Sequence, residues 1–341
     1  MTLHSHQYIE RHTGIVRNER LIGDALIRLI YHPLRERSGW LFRQLTGARA
    51  SRALALLNYD SALACRVLGN RRFLDEAGFD PTECVDPPER LDTARKVFER
   101  RIRYWECRPM PGCRAAVVSP ADARVLVGSL DATRQFFIKE KFFSFEELLG
   151  GANRHWQDAF AGGDFAIFRL TPDKYHYNHL PVAGQVVAIE TIDGHYHSCN
   201  PDAVVRMVTP YSKNRRTVTL IDTDVEKGTG VGLVAMIEVI AMMIGDVVQC
   251  YSDHHYDAPQ PIAKGDFLHK GQPKSLYRPG SSTDILLFQR GRVRFADDLL
   301  ANQQRRDVQS RFSRGFQTPM IETDLKVRSL LAMACTDSPQ S

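Results

Sequence analysis

The sequence predicts an α+β fold, because helical periodicity near the start of the chain gives way to closely spaced β-type runs. Over residues 20–70, apolar side chains recur at helical spacing and arginines fill the other faces. After the Pro-Met-Pro-Gly stretch at 109–112, short β-branched runs are bounded by Gly, Pro and Asp. With 341 residues, 43% of them apolar and 25% charged, the chain can bury a core, which excludes disordered, collagen-like and disulfide-scaffold proteins.

The predicted helices are short, and those near the start of the chain are basic. The periodicity over 20–70 predicts two or three amphipathic helices, and residues 91–104 predict another with Lys and Arg exposed. Residues 145–149 and 153–160 predict short helices that interrupt the strands, and residues 297–312 predict a closing helix or an extended tail. We therefore divide the chain into a basic helical region, 1–105, and a β-rich domain, 106–341.

Eight β-branched or apolar runs predict the strands of that β-rich domain. The glycine-rich segment 227–232 resembles a phosphate-binding loop, but it precedes a strand and lacks the Gly-Lys-Ser/Thr ending, so a hairpin loop is predicted instead. The predicted strands cover residues 115–118, 125–127, 165–170, 185–192, 217–221, 234–240, 247–251 and 285–288.

Charge and cysteine content limit the partners and the compartment. The net charge of +5 is too small for a dedicated nucleic-acid binder, yet residues 1–60 hold nine Arg against five acidic residues, an excess of 9 − 5 = +4. That basic segment faces either anionic lipid or solvent. Seven scattered cysteines and no signal-peptide pattern indicate a reducing cytoplasm. The longest apolar stretch, 231–245, is too short to span a bilayer and contains Glu238.

Four segments place reactive side chains in turn-like contexts, although each is weak evidence alone. They are residues 119–123 (Ser-Pro-Ala-Asp-Ala), 175–181 (Tyr-His-Tyr-Asn-His-Leu-Pro), 236–239 (Met-Ile-Glu-Val) and 279–283 (Pro-Gly-Ser-Ser-Thr). A serine hydroxyl becomes a good nucleophile when a histidine oriented by a carboxylate takes its proton, and Asp122, His179 and Ser282 supply these three groups. We expect no metal, because the other histidines (His195, His197, His254 and His255) lack a recognisable ligand spacing.

Taken in this order and spacing, the segments resemble the phosphatidylserine decarboxylase family of self-processing pyruvoyl enzymes. The resemblance covers most of the chain. Its residues are 8–14 (Tyr-Ile-Glu-Arg-His-Thr-Gly), 119–122, 142–150, Phe168-Arg169-Leu170, the histidine motif, 194–201 (Gly-His-Tyr-His-Ser-Cys-Asn-Pro), 236–239, Lys270-Gly271-Gln272 and 281–288 (Ser-Ser-Thr-Asp-Ile-Leu-Leu-Phe).

The resemblance implies that the chain cleaves itself between Ser281 and Ser282. The Ser282 hydroxyl would attack the Ser281 carbonyl to give an ester, and β-elimination would release a β chain (1–281) and an α chain (282–341) that begins with a pyruvoyl group made from Ser282. Asp122 and His179 would act chiefly in this cleavage. The covalent pyruvoyl group would be the only cofactor, serving as the electron acceptor during decarboxylation.

The resemblance also implies a substrate and an architecture. Phosphatidylserine would be converted to phosphatidylethanolamine and CO2, with His176 contacting the departing carboxylate or returning a proton, a role suited to a near-neutral pKa. We expect a sandwich-like catalytic body, an N-terminal helical cap on the inner face of the cell membrane, and a homodimer of cleaved units, with no nucleic-acid partner.

Two alternatives follow from differences within the motifs. The family has Gly where this chain has Ser281, and again where it has Ala123. A substrate other than phospholipid, either a free amino acid or a small amino-acid-derived metabolite, would keep the chemistry and the pyruvoyl group. A non-catalytic scaffold would result if Ser281 prevented self-cleavage, because a Cβ at a strained backbone position costs about 1–3 kcal/mol.

Overall fold

The computed structural model describes residues 5–19, 21, 79–130, 142–151, 153–206, 209–241, 246–280 and 282–335. The helical cap predicted over 20–70 lies outside these residues, apart from Leu21, and so does Ser281. The division at residue 105 therefore stays a prediction. None of the helices in the described part of the chain is long and apolar enough to cross a membrane.

Sixteen strands in the described residues form one large sheet and two small ones. The large sheet has the order β11-β7-β8-β9-β13-β5-β4-β15-β1-β2, and the small sheets have the orders β10-β12-β6 and β14-β16-β3. The strands are β1 Gln7–Glu10, β2 Val16–Asn18, β3 Ala116–Val118, β4 Ala123–Ser129, β5 Asp164–Leu170, β6 Tyr177–His179, β7 Gly184–Ile192, β8 Arg216–Asp222, β9 Leu233–Ile240, β10 Val247–Gln249, β11 Phe267–Leu268, β12 Pro273–Tyr277, β13 Ser282–Phe288, β14 Val293–Phe295, β15 Glu322–Leu325 and β16 Leu330–Ala334.

Strand β13 lies in the middle of the large sheet and is buried on both faces. It pairs antiparallel with β5 on one side and β9 on the other, over all seven of its residues. Leu286 and Phe288 enter one apolar cluster, whereas Ile285 and Leu287 enter the cluster on the opposite face. Burial on both faces explains why residues 285–288 are apolar at every position rather than alternating between apolar and polar.

The two faces of the large sheet are covered by different layers. On one face, Val117, Tyr277 and Phe295 from the small sheets join the core. On the other face, Trp156 and Phe312 from helices pack against the sheet. The predicted α+β class with a sandwich-like, strand-rich body is therefore confirmed, and the eight predicted strand runs all coincide with strands.

The helices are shorter than the sequence predicts in two places. Residues 91–104 are not one helix but contribute to two separate short ones, and residues 297–312 contain α7 and the start of α8 rather than a single closing helix or tail. The chain then continues into β15 and β16, which the sequence analysis missed. The helices are α1 Ala94–Phe98, α2 Tyr104–Cys107, α3 Phe145–Leu148, α4 Arg154–Phe160, α5 Pro201–Arg206, α6 Pro210–Lys213, α7 Asp297–Gln303 and α8 Arg311–Phe316.

A buried ionic cluster ties the start of the chain to the large sheet. Arg169 binds both oxygens of Glu322, at 2.9 and 2.6 Å, and both oxygens of Glu19, at 2.8 and 2.6 Å. Arg124 also contacts Glu19, at 2.5 Å, and His6 lies 2.8 Å from Glu322. His6, Glu19 and Glu322 are close enough to suggest a metal site, but the two guanidinium groups already neutralise both carboxylates.

Candidate active site

The carboxylate of Asp122 is held by an arginine rather than by a histidine. Arg108 donates from Nε and Nη2 to the two carboxylate oxygens, at 3.0 and 2.8 Å, and the Val327 N–H donates at 2.8 Å. Burial opposes the charged form of Asp122, but the guanidinium and these hydrogen bonds outweigh it and hold the pKa at about 2. Asp122 is therefore a fixed negative charge at neutral pH.

The imidazole of His179 is fixed by two other groups. Its Nδ1 lies 2.8 Å from the Gly271 carbonyl, which can only accept, so Nδ1 carries the proton. Its Nε2 lies 2.9 Å from the Tyr175 hydroxyl, which donates to it. Burial lowers the pKa of His179 to about 3, so the imidazole is neutral, and its lone pair is on Nε2, where it accepts from Tyr175.

His176 is fully buried and stacks on Phe98, with ring centroids 3.4 Å apart. Neither ring nitrogen has a hydrogen-bond partner of standard geometry in the described part of the chain. Burial and the nearby charge of Arg100 hold the pKa of His176 well below its usual value. The near-neutral pKa expected from the sequence is therefore wrong for the uncleaved chain, because this ring lies in a dry, aromatic site next to a cation.

Ser282 begins the central strand β13, and its hydroxyl is fully buried. Its Oγ has no hydrogen-bond partner among the described residues. Leaving a buried hydroxyl without a partner costs free energy. The hydroxyls of Thr171 and Thr219 are also buried without a partner in the described part of the chain, so the position of Ser282 at the start of the central strand is what sets it apart.

Hydrogen bonds and strand pairing bring all four candidate segments close together. Asn178 of the histidine motif donates to Glu238 at 3.1 Å, and Thr283 pairs with Val239. The His179 N–H donates to the Pro120 carbonyl at 2.7 Å, which joins the histidine strand to the Asp122 loop. The Tyr277 N–H donates to the His176 carbonyl at 3.1 Å, five residues before Ser282. Asp122 is near enough to favour the protonated forms of both histidines, although it forms its hydrogen bonds with Arg108 and Val327 instead.

A pair of buried carboxyl groups, Asp284 and Glu238, lies near Ser282. Asp284 and Glu238 are cross-strand neighbours on β13 and β9, and both are fully buried. Lys274 lies 2.6 Å from Glu238 and lowers the pKa of that carboxyl against the effect of burial. Burial and the charge of Glu238 raise the pKa of Asp284 well above its usual value, and Tyr277 donates to it at 2.7 Å. Burial and the neighbouring Glu238 carboxylate thus disfavour the ionised form of Asp284.

Sequence reasoning missed the residues that hold the candidates in place. Arg108, Tyr175 and Phe98 each contact Asp122, His179 or His176 directly. Tyr175 is the first residue of the histidine motif, 175–181, so that motif could have identified it. Phe98 comes from a segment predicted only as a basic helix, and Arg108 lies just before the Pro-Met-Pro-Gly stretch at 109–112, so no local pattern pointed to them.

The chain is similar to known proteins of one family. The phosphatidylserine decarboxylase family model matches residues 94–313. The chain is 30% identical over 305 residues to a phosphatidylserine decarboxylase proenzyme of Chlamydia trachomatis, which covers 86% of this chain and 90% of that relative. It is 25% identical over 311 residues to a proenzyme of the same name from Fusobacterium nucleatum, covering 87% and 92%.

Together with the strand-rich α+β fold, these matches identify the chain as a carboxy-lyase. The chain belongs to the phosphatidylserine decarboxylase family. The sequence-based assignment to that family is confirmed.

Proposed function

We propose that this protein decarboxylates phosphatidylserine to phosphatidylethanolamine, using a pyruvoyl group that forms from Ser282 when the chain cleaves itself after Ser281. The observation that carries the proposal is the buried, unpartnered Oγ of Ser282 at the first residue of the central strand. The names of the relatives, which are phosphatidylserine decarboxylase proenzymes, support the substrate and the self-processing.

Self-cleavage needs a base, and His179 is the one we assign. The Ser282 hydroxyl would give its proton to Nε2 of His179 while its Oγ forms a bond to the Ser281 carbonyl carbon. The C–N bond then breaks, the nitrogen takes the proton, and an ester remains. Removal of the Ser282 Cα proton then expels the Ser281 carboxylate from Cβ. In the last step water takes the place of the nitrogen, which leaves as ammonia.

The residues present fit a pyruvoyl group at position 282. The space now occupied by the unpartnered hydroxyl is fully buried, so a keto group there would be protected from bulk water. Once formed, the group supplies an electron acceptor for the pair released with CO2. Ser282 itself would provide every carbon atom of the group, and water would provide the keto oxygen.

His176 and Phe98 would favour loss of CO2 by excluding water. A substrate carboxylate placed against this stacked pair would lose its hydration, whereas neutral CO2 loses little, so the desolvated site favours the product side of the reaction. A substrate carboxylate would also favour a proton on His176, which would then be able to return that proton to the substrate carbon.

Two further parts of the proposal concern the cell. The basic segment at the start of the chain would bind the anionic inner face of the membrane from the cytoplasm, and the cleaved units would form a homodimer. Flotation with vesicles of anionic and neutral lipid tests the first, with binding to anionic vesicles expected. Light scattering at several protein concentrations tests the second, and a monomer throughout would refute it.

The decisive experiment is the intact mass of the purified protein combined with CO2 release. We expect two chains, the smaller beginning at position 282 with a blocked terminus, and CO2 release from phosphatidylserine in detergent micelles. Ser282→Ala should remain one chain and release none. Ser144→Ala, at the N-cap of α3, is the matched control and should behave like the unaltered protein. CO2 release from free amino acids alone, or a single uncleaved chain after long incubation, would refute the proposal.

A further inference from the structure

A cavity of about 350 Å³ opens beside α1, the helix that carries Phe98. Most of its lining side chains are charged. The lining residues are Asp86, Arg90, Leu91, Lys96, Glu99 and Arg100. A cavity of this size suits a small polar group rather than an acyl chain.

Most of these charges are already compensated by neighbours, but two are not. In the described structure, Arg90 and Arg100 form no ion pair with a carboxylate. The compensated groups pair as follows: Asp86 with Arg101, Lys96 with Asp92, and Glu99 with Arg95 and Arg278. The cavity therefore presents two guanidinium groups that have no ion-pair partner among the described residues.

Arg100 is the more informative of the two because it is only 7% exposed. Its Nη1 donates to the carbonyls of Val97 and Lys174, at 2.8 and 3.2 Å, and its Nη2 donates to the Asp173 carbonyl at 2.9 Å. A guanidinium has five N–H donors, so Nε and one N–H of Nη2 stay available. The guanidinium also lies 5.0 Å from the centroid of the Phe79 ring, and Asp122 and Asp173 stabilise its charge from a distance, but no carboxylate forms an ion pair with it in the described part of the chain. A buried cation without an ion-pair partner favours an anion nearby.

The cavity lies next to the candidate active site. Two of the carbonyls that hold Arg100 belong to residues 173–174, immediately before the Tyr175-His176 pair. On the opposite side, Glu99 contacts Arg278 at 2.7 Å, four residues before Ser282. An anion bound at Arg100 would thus sit between the histidine loop and the connection that leads to the nucleophile.

We propose that Arg100 and Arg90 bind the phosphodiester group of the substrate. This inference rests on the proposed function and adds to it the site that recognises the headgroup. In a phosphoserine headgroup the phosphate is separated from the reacting carbon by only a few bonds, so a phosphate site has to adjoin the catalytic histidines. Arg90 is exposed at the cavity mouth, where it would contact the outer phosphate oxygens.

The other anion of the headgroup, the carboxylate, is a poor occupant for this site. A guanidinium bound to that carboxylate would stabilise the charged ground state, and this stabilisation would be lost when CO2 forms. The phosphodiester keeps its charge throughout the reaction, so binding it costs nothing at the chemical step. The two arginines therefore distinguish a phospholipid headgroup from a free amino acid.

The test is a binding measurement on the uncleaved Ser282→Ala protein, which requires no turnover. Calorimetry would compare glycerophosphoserine with L-serine as probes. In that background, Arg100→Lys keeps the charge but loses the planar fork, and we expect its Kd for glycerophosphoserine to rise about tenfold or more. Arg90→Ser, at an exposed position that tolerates change, should raise it several-fold. The weak affinity for L-serine should not change.

Arg17→Met is the matched control, because it removes one positive charge from the exposed edge strand β2 and should bind both probes normally. Unchanged glycerophosphoserine affinity in both cavity variants would refute the site, as would an equal loss of affinity for L-serine. The proposed function fails on a different result, namely no CO2 from phosphatidylserine with the unaltered protein. Arg90→Ser keeps the test valid if Arg100→Lys does not fold.

Discussion

Two fully buried polar regions of this molecule are built in opposite ways. In the ionic cluster of His6, Glu19, Arg124, Arg169 and Glu322, both carboxylates are bound by guanidinium groups. In the region of Ser282 and His176, a hydroxyl and both ring nitrogens lack hydrogen-bond partners in the described part of the chain. Burial is similar in both, so burial alone does not distinguish a structural polar group from a reactive one.

The difference lies in what the sequence supplies around each group. The cluster joins the start of the chain to the central strands, and its charges are compensated because an isolated buried charge would cost several kcal/mol. The candidate site keeps neutral groups uncommitted, at a lower cost of about 1–3 kcal/mol each. Compensated groups hold the fold together, whereas uncommitted groups are available for chemistry.

The largest expected effect comes from removing the base. His179→Asn keeps a side-chain donor for the Gly271 carbonyl but has no basic nitrogen, so self-cleavage should slow by about 10²–10⁴. A mass-spectrometric time course after purification measures the rate. His195→Asn, at an exposed histidine, should cleave normally. Equal rates for His179→Asn and the unaltered chain would remove His179 from the site.

The next effect concerns the ionic cluster. Arg169→Met leaves two buried carboxylates with reduced compensation, so the free energy of unfolding should fall by about 3–5 kcal/mol. Urea denaturation measures it, and Arg17→Met, which breaks only an exposed pair, should cost less than about 1 kcal/mol. The folded fraction of Arg169→Met should still cleave. Loss of cleavage at full stability would mean that the two regions are not separable.

The third effect is a fall in the free energy of unfolding at low pH, to which His179 contributes. The pKa of His179 is about 3 when folded and 6.5 when unfolded, so the unfolded chain binds more protons between these values and stability falls as pH drops. This histidine alone should remove about 2 kcal/mol between pH 6.5 and pH 5. Asp122, whose pKa is about 2, lowers the stability only below about pH 3.8, which is its pKa in the unfolded chain.

Ser282→Ala with and without His179→Asn isolates that contribution, since neither protein cleaves. Urea denaturation at several pH values should show a shallower decline in stability when His179 is replaced. Identical slopes in the two proteins above pH 5 would show that His179 is not held neutral by burial.

The smallest effect concerns the hydroxyl on the base. Tyr175→Phe removes the donor to Nε2 of His179 and exposes its lone pair to Ser282, so we expect cleavage to become a few-fold faster, in line with about 1 kcal/mol for one hydrogen bond. A time course of intact mass measures this. A slower reaction would instead assign Tyr175 to orienting the base.

The strands were predictable because their cause is local. Residues 285–288 are apolar at successive positions, and residues 234–240 are apolar except at Glu238; a strand buried on both faces favours that composition. Strands β1 and β15 were missed because each contains acidic or polar residues that ordinarily indicate the surface. Glu322 can be buried because Arg169, 153 residues earlier, binds it, and no local pattern contains that information.

The candidate site was predictable in its chemistry but not in its contacts. Asp122, His176, His179 and Ser282 followed from motifs, and their catalytic roles stay predictions. The hydrogen bonds could not be derived, since Asp122 binds Arg108 and His179 binds Tyr175 and Gly271 through the packing of distant segments. Motif spacing identifies residue types, whereas partner choice depends on the tertiary fold.

The central position of β13 would keep the two fragments of a cleaved chain together. Scission before Ser282 would place a new chain end at the middle of the sheet, yet seven residues of that fragment stay hydrogen-bonded to neighbours on both sides. The fragments would be interlocked and migrate as one particle on a native gel. They would separate only in denaturant, and neither half expressed alone would complete the sheet.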